Sequence, residues 1–214
     1  MKQAFGISIA RTLEDVCDAS RLALLIYDMQ VGIVSQIAGG ETIIAQVRRV
    51  LDAARRARLR IFFTRHMSLP PELMGAFQYR TAMAWQRIDD PRDVKPWFMR
   101  DSPGFAIVPE LAPLPSEAIF DKITMSAFEG TPLDIALRDC GVGAVAIAGI
   151  AMEIGIEPTA RHAADRAIIP VIVADACGFG NDQAAKRSLD ALAFAGDALV
   201  TDVATFCRLI ERAS

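Results

Sequence analysis

The sequence predicts an α/β protein of three layers, in which helices cover both faces of a doubly wound, mainly parallel sheet. Short apolar runs of strand length alternate with longer amphipathic segments along most of the chain, which is the pattern of parallel strands joined by helical crossovers. One run, GAVAIAGI at 143–150, is apolar on both faces, as expected of a strand between two helical layers. The 214 residues are enough for one domain with a substantial core.

Each predicted strand is a short apolar run. The first, LALLIY at 22–27, is followed directly by Asp28, and EAIFDK at 117–122 ends at Lys122. In the run at 168–176, Pro170 favours the beginning of a strand or an edge strand. The other strands are predicted at 59–64, 143–150 and 198–203.

Amphipathic spacing predicts the helices between these strands. The apolar residues of 43–57 recur on one helical face, and its arginines lie mostly elsewhere. Gly196 is placed to end a helix that begins at 182. Further helices are predicted at 154–166 and 204–212.

Residues 65–116 interrupt this alternation. They hold eight of the 11 prolines and both tryptophans, with little clean periodicity. A connection of this length between regular elements is usually a functional loop or lid.

Composition and charge exclude several classes of protein. A net charge of -3 leaves no electrostatic footprint for nucleic acid or an anionic membrane. No apolar stretch reaches the roughly 18 residues of a membrane span. The four cysteines, at 17, 140, 177 and 207, form no C-x-x-C pair, so we expect a reducing compartment without disulfides or a zinc site. No signal peptide is recognised, and a cytoplasmic location is expected.

Three features fall just after the carboxyl ends of predicted strands: Asp28, Lys122 and the turn at 151–155. Ligands of doubly wound sheets bind at this edge, near the point where the strand order reverses. The three features can therefore converge on one crevice. A partly desolvated carboxylate beside a lysine can transfer protons as acid or base, although a structural ion pair is the alternative interpretation.

The chain resembles the isochorismatase-like, or cysteine hydrolase, superfamily. The resemblance rests on ALLIYDMQ, SPGFAIVPELAP, DKITMSAFEGTPLDIALR and VAIAGIAMEIGIEPTARHAADR, extended by IPVIVADAC and GDALVTD. It implies a six-stranded, Rossmann-type sheet, a single hydrolase domain at 21–214 after an N-terminal extension at 1–20, and a homo-oligomer, as a dimer or tetramer. It also implies catalytic Asp28 and Lys122, and it places the nucleophilic cysteine of the family at Gly155.

Glycine at position 155 removes the covalent step that the resemblance would otherwise imply. Isochorismatases proper also carry glycine there and cleave a vinyl ether, releasing pyruvate. The first expectation is therefore acid catalysis by Asp28, tuned by Lys122, on a small molecule. Two alternatives remain: a C–N hydrolase in which Asp28 activates water, and an inactive homologue that serves as a binding or assembly protein.

The resemblance also suggests how the crevice is shaped. A non-proline cis peptide is expected at Ile150–Ala151, directing the amides of 151–155 into the crevice, with Met152 where cysteine members commonly have threonine. Substrate-pocket candidates are Gln30, His66, Trp97 and Phe128, and the aromatic residues Trp85, Phe98 and Phe105 are further candidates for its walls. If the substrate is a dicarboxylate, the pocket should contain an arginine or comparable donors. Arg65, Arg80, Arg87 and Arg100 are candidates, although a surface position is the alternative for each. With only two histidines in the chain, His66 and His162, neither a metal nor a cofactor is expected.

Overall fold

A computed structural model describes residues 1–213, and its centre is a six-stranded sheet in which every pair of neighbouring strands is parallel. The strands in chain order are β1 Lys2–Ala4, β2 Ile7–Ile9, β3 Leu22–Tyr27, β4 Arg60–His66, β5 Ala118–Lys122, β6 Ala144–Ile150, β7 Ile169–Gly178 and β8 Leu199–Thr201. The spatial order in the large sheet is β5-β4-β3-β6-β7-β8, and β1 and β2 form a separate antiparallel hairpin. The predicted fold class is confirmed.

Helices cover both faces of this sheet. Their bounds are α1 Leu13–Val16, α2 Val31–Val34, α3 Gly40–Arg56, α4 Ala76–Gln86, α5 Leu133–Asp139, α6 Glu157–Asp165, α7 Asp182–Ala195 and α8 Val203–Arg212. The apolar faces of α3 and α8 pack on one side of the sheet, and α5, α6 and α7 pack on the other. None of the helices within residues 1–213 is long and apolar enough to cross a membrane.

Strand β3 connects the two cores. Its six residues are all buried, and alternate side chains enter opposite clusters: Leu24 faces α3, whereas Leu25 and Tyr27 face α6. The strand order reverses between β3 and β6, because the chain moves outward through β4 and β5 before it returns to β6. The carboxyl ends of β3 and β6 therefore flank the switch point, where this fold class binds its ligands.

The predicted elements are mostly in place, with two informative differences. The segment predicted as a helix from 154 begins earlier, as a π-helical turn at Met152–Ile156 that continues into α6. Residues 65–116 contain one α-helix that was not predicted, α4. This helix lies on the protein surface and buries no residue, so its sequence carries no apolar face. Pro170 is the second residue of β7, as its lack of an N–H requires.

The first 20 residues form the β1–β2 hairpin and the short helix α1. Val16 and Cys17 belong to the main core, whereas the hairpin exposes Phe5, Ile7 and Ile9. A role of this segment in contacts with a neighbouring subunit stays a prediction.

Candidate active site

Asp28 and Lys122 form a buried ion pair at the carboxyl edge of the sheet. Lys122 ends β5 and Asp28 follows β3, and the Lys122 Nζ donates to Asp28 Oδ2 at 2.7 Å. The exposed fractions of these side chains are 0% for Lys122 and 5% for Asp28. The structure therefore brings together the two residues that the sequence predicted, although β4 separates their strands in the sheet.

A threonine holds the second oxygen of Asp28. The Asp28 backbone N–H donates to Thr64 Oγ1 at 3.3 Å, and the Thr64 hydroxyl donates to Asp28 Oδ1 at 2.7 Å. Because the hydroxyl already accepts the N–H, its own proton is directed to the carboxylate. Both oxygens of Asp28 are thus hydrogen-bond acceptors. Sequence reasoning missed Thr64, although it lies near the carboxyl end of β4, at the same edge of the sheet.

The Lys122 ammonium has no face towards water. It donates also to the Thr124 carbonyl at 3.1 Å, and Nζ lies 4.3 Å from the centroid of the Tyr27 ring. Burial lowers the pKa of Lys122, and the charge of Asp28 opposes that effect. Lys122 is therefore placed to hold and charge-balance Asp28 rather than to contact a ligand.

An open crevice of about 250 Å³ reaches Asp28. Asp28 and Tyr27 lie at one side of it, and the β6 end contributes Ile150, Ala151 and Gly155. The other lining residues are mainly aromatic and apolar, and they include His66, Trp85, Trp97, Phe98, Met125, Ile33, Ile37 and Ile154. A mainly apolar lining with one carboxylate is typical of a site for a small organic molecule.

The turn after β6 differs from expectation in one respect. The Ile150–Ala151 peptide is cis, as predicted. The N–H groups of Ile154, Gly155 and Ile156, however, all donate to the Ala151 carbonyl, with Gly155 at 3.1 Å. The expectation that the amides of 151–155 face the crevice is therefore wrong for Ile154 and Gly155, because a wide helical turn closes on that carbonyl.

Besides Lys122, four residues predicted for the crevice wall or its turn do not line the crevice: Gln30, Phe105, Phe128 and Met152. Gln30 is fully buried, and its amide spans the carbonyls of His66 and Phe105 and accepts the His66 N–H, so it holds the β4 end in place. Phe128 packs in the core beneath α6, with its ring centroid 5.4 Å from that of His162. Met152 is buried in the same core. These side chains face the protein interior, where Gln30 bonds to backbone and Phe128 and Met152 pack in the core.

The predicted wall residues His66 and Trp97 do line the crevice. The His66 ring lies about edge-on to Trp85 and Phe98, with centroids 6.1 and 6.0 Å away. Burial, aided by the positive charge of Lys122, lowers the pKa of His66 to about 4. His66 is therefore neutral at pH 7 and acts as part of an aromatic wall.

Neither lysine nor arginine occurs among the residues of 1–213 that line the crevice. Arg65 and Arg100 both pair with Asp121, and Arg80 and Arg87 are exposed. None of the four candidate arginines is thus placed to bind a carboxylate inside the crevice, because two of them are paired with Asp121 and the other two face solvent.

No cysteine replaces a nucleophile in the described part of the chain. Cys177 is buried in the core, where burial raises the pKa of its thiol to about 12. Cys140 is exposed but follows α5, at the amino edge of the sheet and opposite the crevice. Across residues 1–213 no three His, Cys, Asp or Glu side chains are grouped to hold a metal ion.

The fold and the crevice define an α/β protein with a buried Asp–Lys ion pair whose aspartate lines a small crevice. The Isochorismatase domain model matches residues 22–205, and the chain belongs to the isochorismatase family of hydrolases. A ureidoacrylate amidohydrolase, RutB, from Methylobacterium radiotolerans is 28% identical over 179 residues, covering 79% of this chain and 68% of that protein.

Solved structures show the same fold. A cysteine hydrolase from Pseudomonas syringae matches with a TM-score of 0.78 and 22% identity, over 92% of this chain and 95% of that one. An N-carbamoylsarcosine amidase from Thermoplasma acidophilum matches with a TM-score of 0.69 and 20% identity, over 86% and 96% of the two chains. At these identities the likeness concerns the architecture alone.

Proposed function

We propose that this protein hydrolyses a C–N bond of a small, uncharged or weakly charged amide or carbamoyl compound, with Asp28 as the general base for water. The observation that carries the proposal is the hydrogen bonding of Asp28. Thr64 and Lys122 both donate to it, which is the arrangement of a carboxylate that accepts protons. Each oxygen keeps a further lone pair, and Asp28 lines the crevice.

The proposed steps need no covalent intermediate. Asp28 takes a proton from water as the water oxygen bonds to the substrate carbonyl carbon, which leaves an oxyanion. The C–N bond then breaks, and the proton on Asp28 passes to the leaving nitrogen.

Residue 155 is, in this proposal, the position at which cysteine members of the family carry their nucleophile. Glycine there offers no side chain for a covalent step, so water must attack directly. The proposed reaction is also the one that the name of the RutB relative describes.

The crevice wall supports a substrate with an aromatic or apolar body. Trp85, Trp97, Phe98 and neutral His66 offer flat apolar surfaces, and no cationic side chain among the lining residues balances a carboxylate. Cleavage of a vinyl ether of the isochorismate type is the second candidate, favoured by glycine at 155. It requires a protonated Asp28 and a site for two carboxylates, and the crevice walls offer no cation for them.

The test is a substrate panel with two product assays. Aromatic carboxamides, ureido acids and isochorismate are each supplied to the wild type, and ammonia and pyruvate are measured by coupled dehydrogenase assays. Asp28→Asn should lower kcat by about 10²–10⁴, the usual contribution of a general base. The matched control Asp182→Asn removes an exposed carboxylate on α7 and should leave kcat unchanged.

Each outcome assigns the protein to one reaction class. Ammonia release that Asp28→Asn abolishes, and that iodoacetamide does not inhibit, supports the proposal. Pyruvate release from isochorismate would replace it with vinyl-ether hydrolysis. Binding without turnover, seen as a change in the fluorescence of the two tryptophans, would instead identify an inactive homologue that binds a ligand.

A further inference from the structure

Gly155 is a glycine for lack of space and not for backbone conformation. Its φ is not in the left-handed region, so an L side chain is compatible with its backbone. A Cβ atom at this position, however, would lie 2.0 Å from the Tyr27 hydroxyl oxygen and 2.4 and 2.5 Å from ring carbons Cζ and Cε1. Ordinary contacts of a Cβ atom are 3.4–4 Å. Tyr27 therefore occupies the volume that a side chain on residue 155 would need.

Tyr27 has little freedom to leave this volume. It is the last residue of β3, paired with Gly149 of β6, and only 2% of it is exposed. Its backbone lies so close to Gly149 that a Cβ there would be 2.0 Å from the Tyr27 carbonyl oxygen. Its hydroxyl donates to the carbonyl of Met125. The ring is thus fixed by the strand at one end and by the 123–126 segment at the other.

The same ring is in contact with the catalytic pair. The Lys122 ammonium lies 4.3 Å from the ring centroid, and its other two partners are Asp28 and the Thr124 carbonyl. Tyr27 and Lys122 therefore both bond to the same short segment, Tyr27 through the Met125 carbonyl and Lys122 through the Thr124 carbonyl. An ammonium over a buried aromatic face is attracted by the ring quadrupole, which fixes its position.

We propose that Tyr27 is a positioning residue that fills the side-chain volume of residue 155 and holds the Lys122 ammonium against Asp28. Residues 27 and 155 are in this view a coupled pair: the site can carry a ring at 27 or a side chain at 155, but not both. The catalytic meaning of the pair rests on the proposed function, whereas the two measurements below use no substrate.

The first measurement is a double-mutant cycle on thermal unfolding, with Gly155→Ala, Tyr27→Val and the double variant. Gly155→Ala alone should lower Tm by about 4 °C or more, because overpacking of a core costs several degrees in a chain of this size. In the Tyr27→Val background the same change should be neutral or raise Tm. Tyr27→Phe should not rescue it, because the ring carbons remain in place.

Gly75→Ala is the matched control for this cycle. Gly75 has negative φ, and a Cβ added there would have no heavy atom within 4 Å, so the Tm shift of this variant should be small in both backgrounds. Additive shifts for Gly155→Ala and Tyr27→Val would refute the coupling. Should Tyr27→Val fail to fold, a Gly155→Ala variant as stable as Gly75→Ala refutes the steric argument by itself.

The second measurement is the ¹H–¹⁵N NMR signal of the Lys122 ammonium. Protons of exposed lysines exchange with water too fast to be seen near neutral pH, whereas Lys122 is buried and hydrogen-bonded. Tyr27→Phe keeps the ring and should preserve the signal. Tyr27→Val should broaden it beyond detection.

Tyr79→Val, a change to the other tyrosine, is the control and should leave the signal unchanged, since the Tyr79 hydroxyl donates to the Pro71 carbonyl within the 65–116 segment. A Lys122 signal with the same shift and width in Tyr27→Val would overturn the positioning role. If the signal is lost in Tyr27→Val but the wild type hydrolyses none of the substrates, the positioning role is retained and only the proposed reaction is rejected.

Discussion

Replacing Lys122 by methionine should destabilise the protein strongly, because it leaves Asp28 as a largely desolvated charge without its ion-pair partner. The lysine side chain is fully buried, and its Nζ lies 2.7 Å from Asp28 Oδ2. Methionine fills a similar volume but donates no hydrogen bond. Removing one partner of such a pair typically costs about 3–5 kcal/mol. For a domain of this size, that corresponds to a fall in Tm of roughly 6–20 °C.

The double variant Asp28→Asn/Lys122→Met distinguishes this cause from lost packing. It removes both charges, so its free energy of unfolding should lie closer to that of the wild type than the single variant does. Urea unfolding followed by tryptophan fluorescence and far-UV circular dichroism measures all four proteins of the cycle. A loss of less than about 1 kcal/mol for Lys122→Met would show that the ion pair is not desolvated.

Three further predictions follow from the surroundings of the pair. Since burial lowers the pKa of His66 to about 4, the unfolded state binds a proton between about pH 6.5 and 4 that the folded state does not. The free energy of unfolding should therefore fall by up to about 3 kcal/mol as the pH drops through this window, and His66→Asn should flatten the curve when denaturant midpoints are compared. Thr64→Val should cost about 1.5–3 kcal/mol and reduce kcat, whereas Thr64→Ser, which keeps the hydroxyl, should restore both; equal effects of the two variants would contradict a role for that bond. Gly149→Ala should prevent stable folding, because its φ is +136° and a Cβ would meet the Tyr27 carbonyl at 2.0 Å; soluble protein with a wild-type Tm would disprove this close approach.

Much of the fold could be predicted from the sequence because it rests on local patterns. Strands β3 and β6 are continuous apolar runs, and such runs are buried on both faces whatever surrounds them. Helix α4 could not be predicted in this way, because it buries no residue and so carries no apolar stripe. The π-helical start of the 152–156 turn likewise has no sequence pattern, since it depends on where the Ala151 carbonyl lies.

The candidate site was predictable only where chain position sufficed. Asp28 and Lys122 follow or end strands of a parallel sheet, and the carboxyl ends of such strands share one edge. Gln30 and Phe128 lie near the same ends, yet their side chains turn inward to hold backbone and fill the core. Proximity to a strand end is thus insufficient to decide whether a side chain faces the crevice or the protein core.

By itself, the sequence predicted a buried parallel sheet and placed Asp28 and Lys122 at strand ends, because hydrophobic periodicity and the order of elements along the chain are properties of the chain. Tertiary structure alone decided that Thr64 directs its proton to Asp28, that Arg65 pairs with Asp121 outside the crevice, and that Tyr27 fills the space beside Gly155. These are contacts between residues 36 to 128 positions apart in the chain, and their geometry is set by how strands and helices pack. A glycine in the sequence shows only that residue 155 has no side chain, whereas the folded protein shows that Tyr27 occupies the space a side chain there would need.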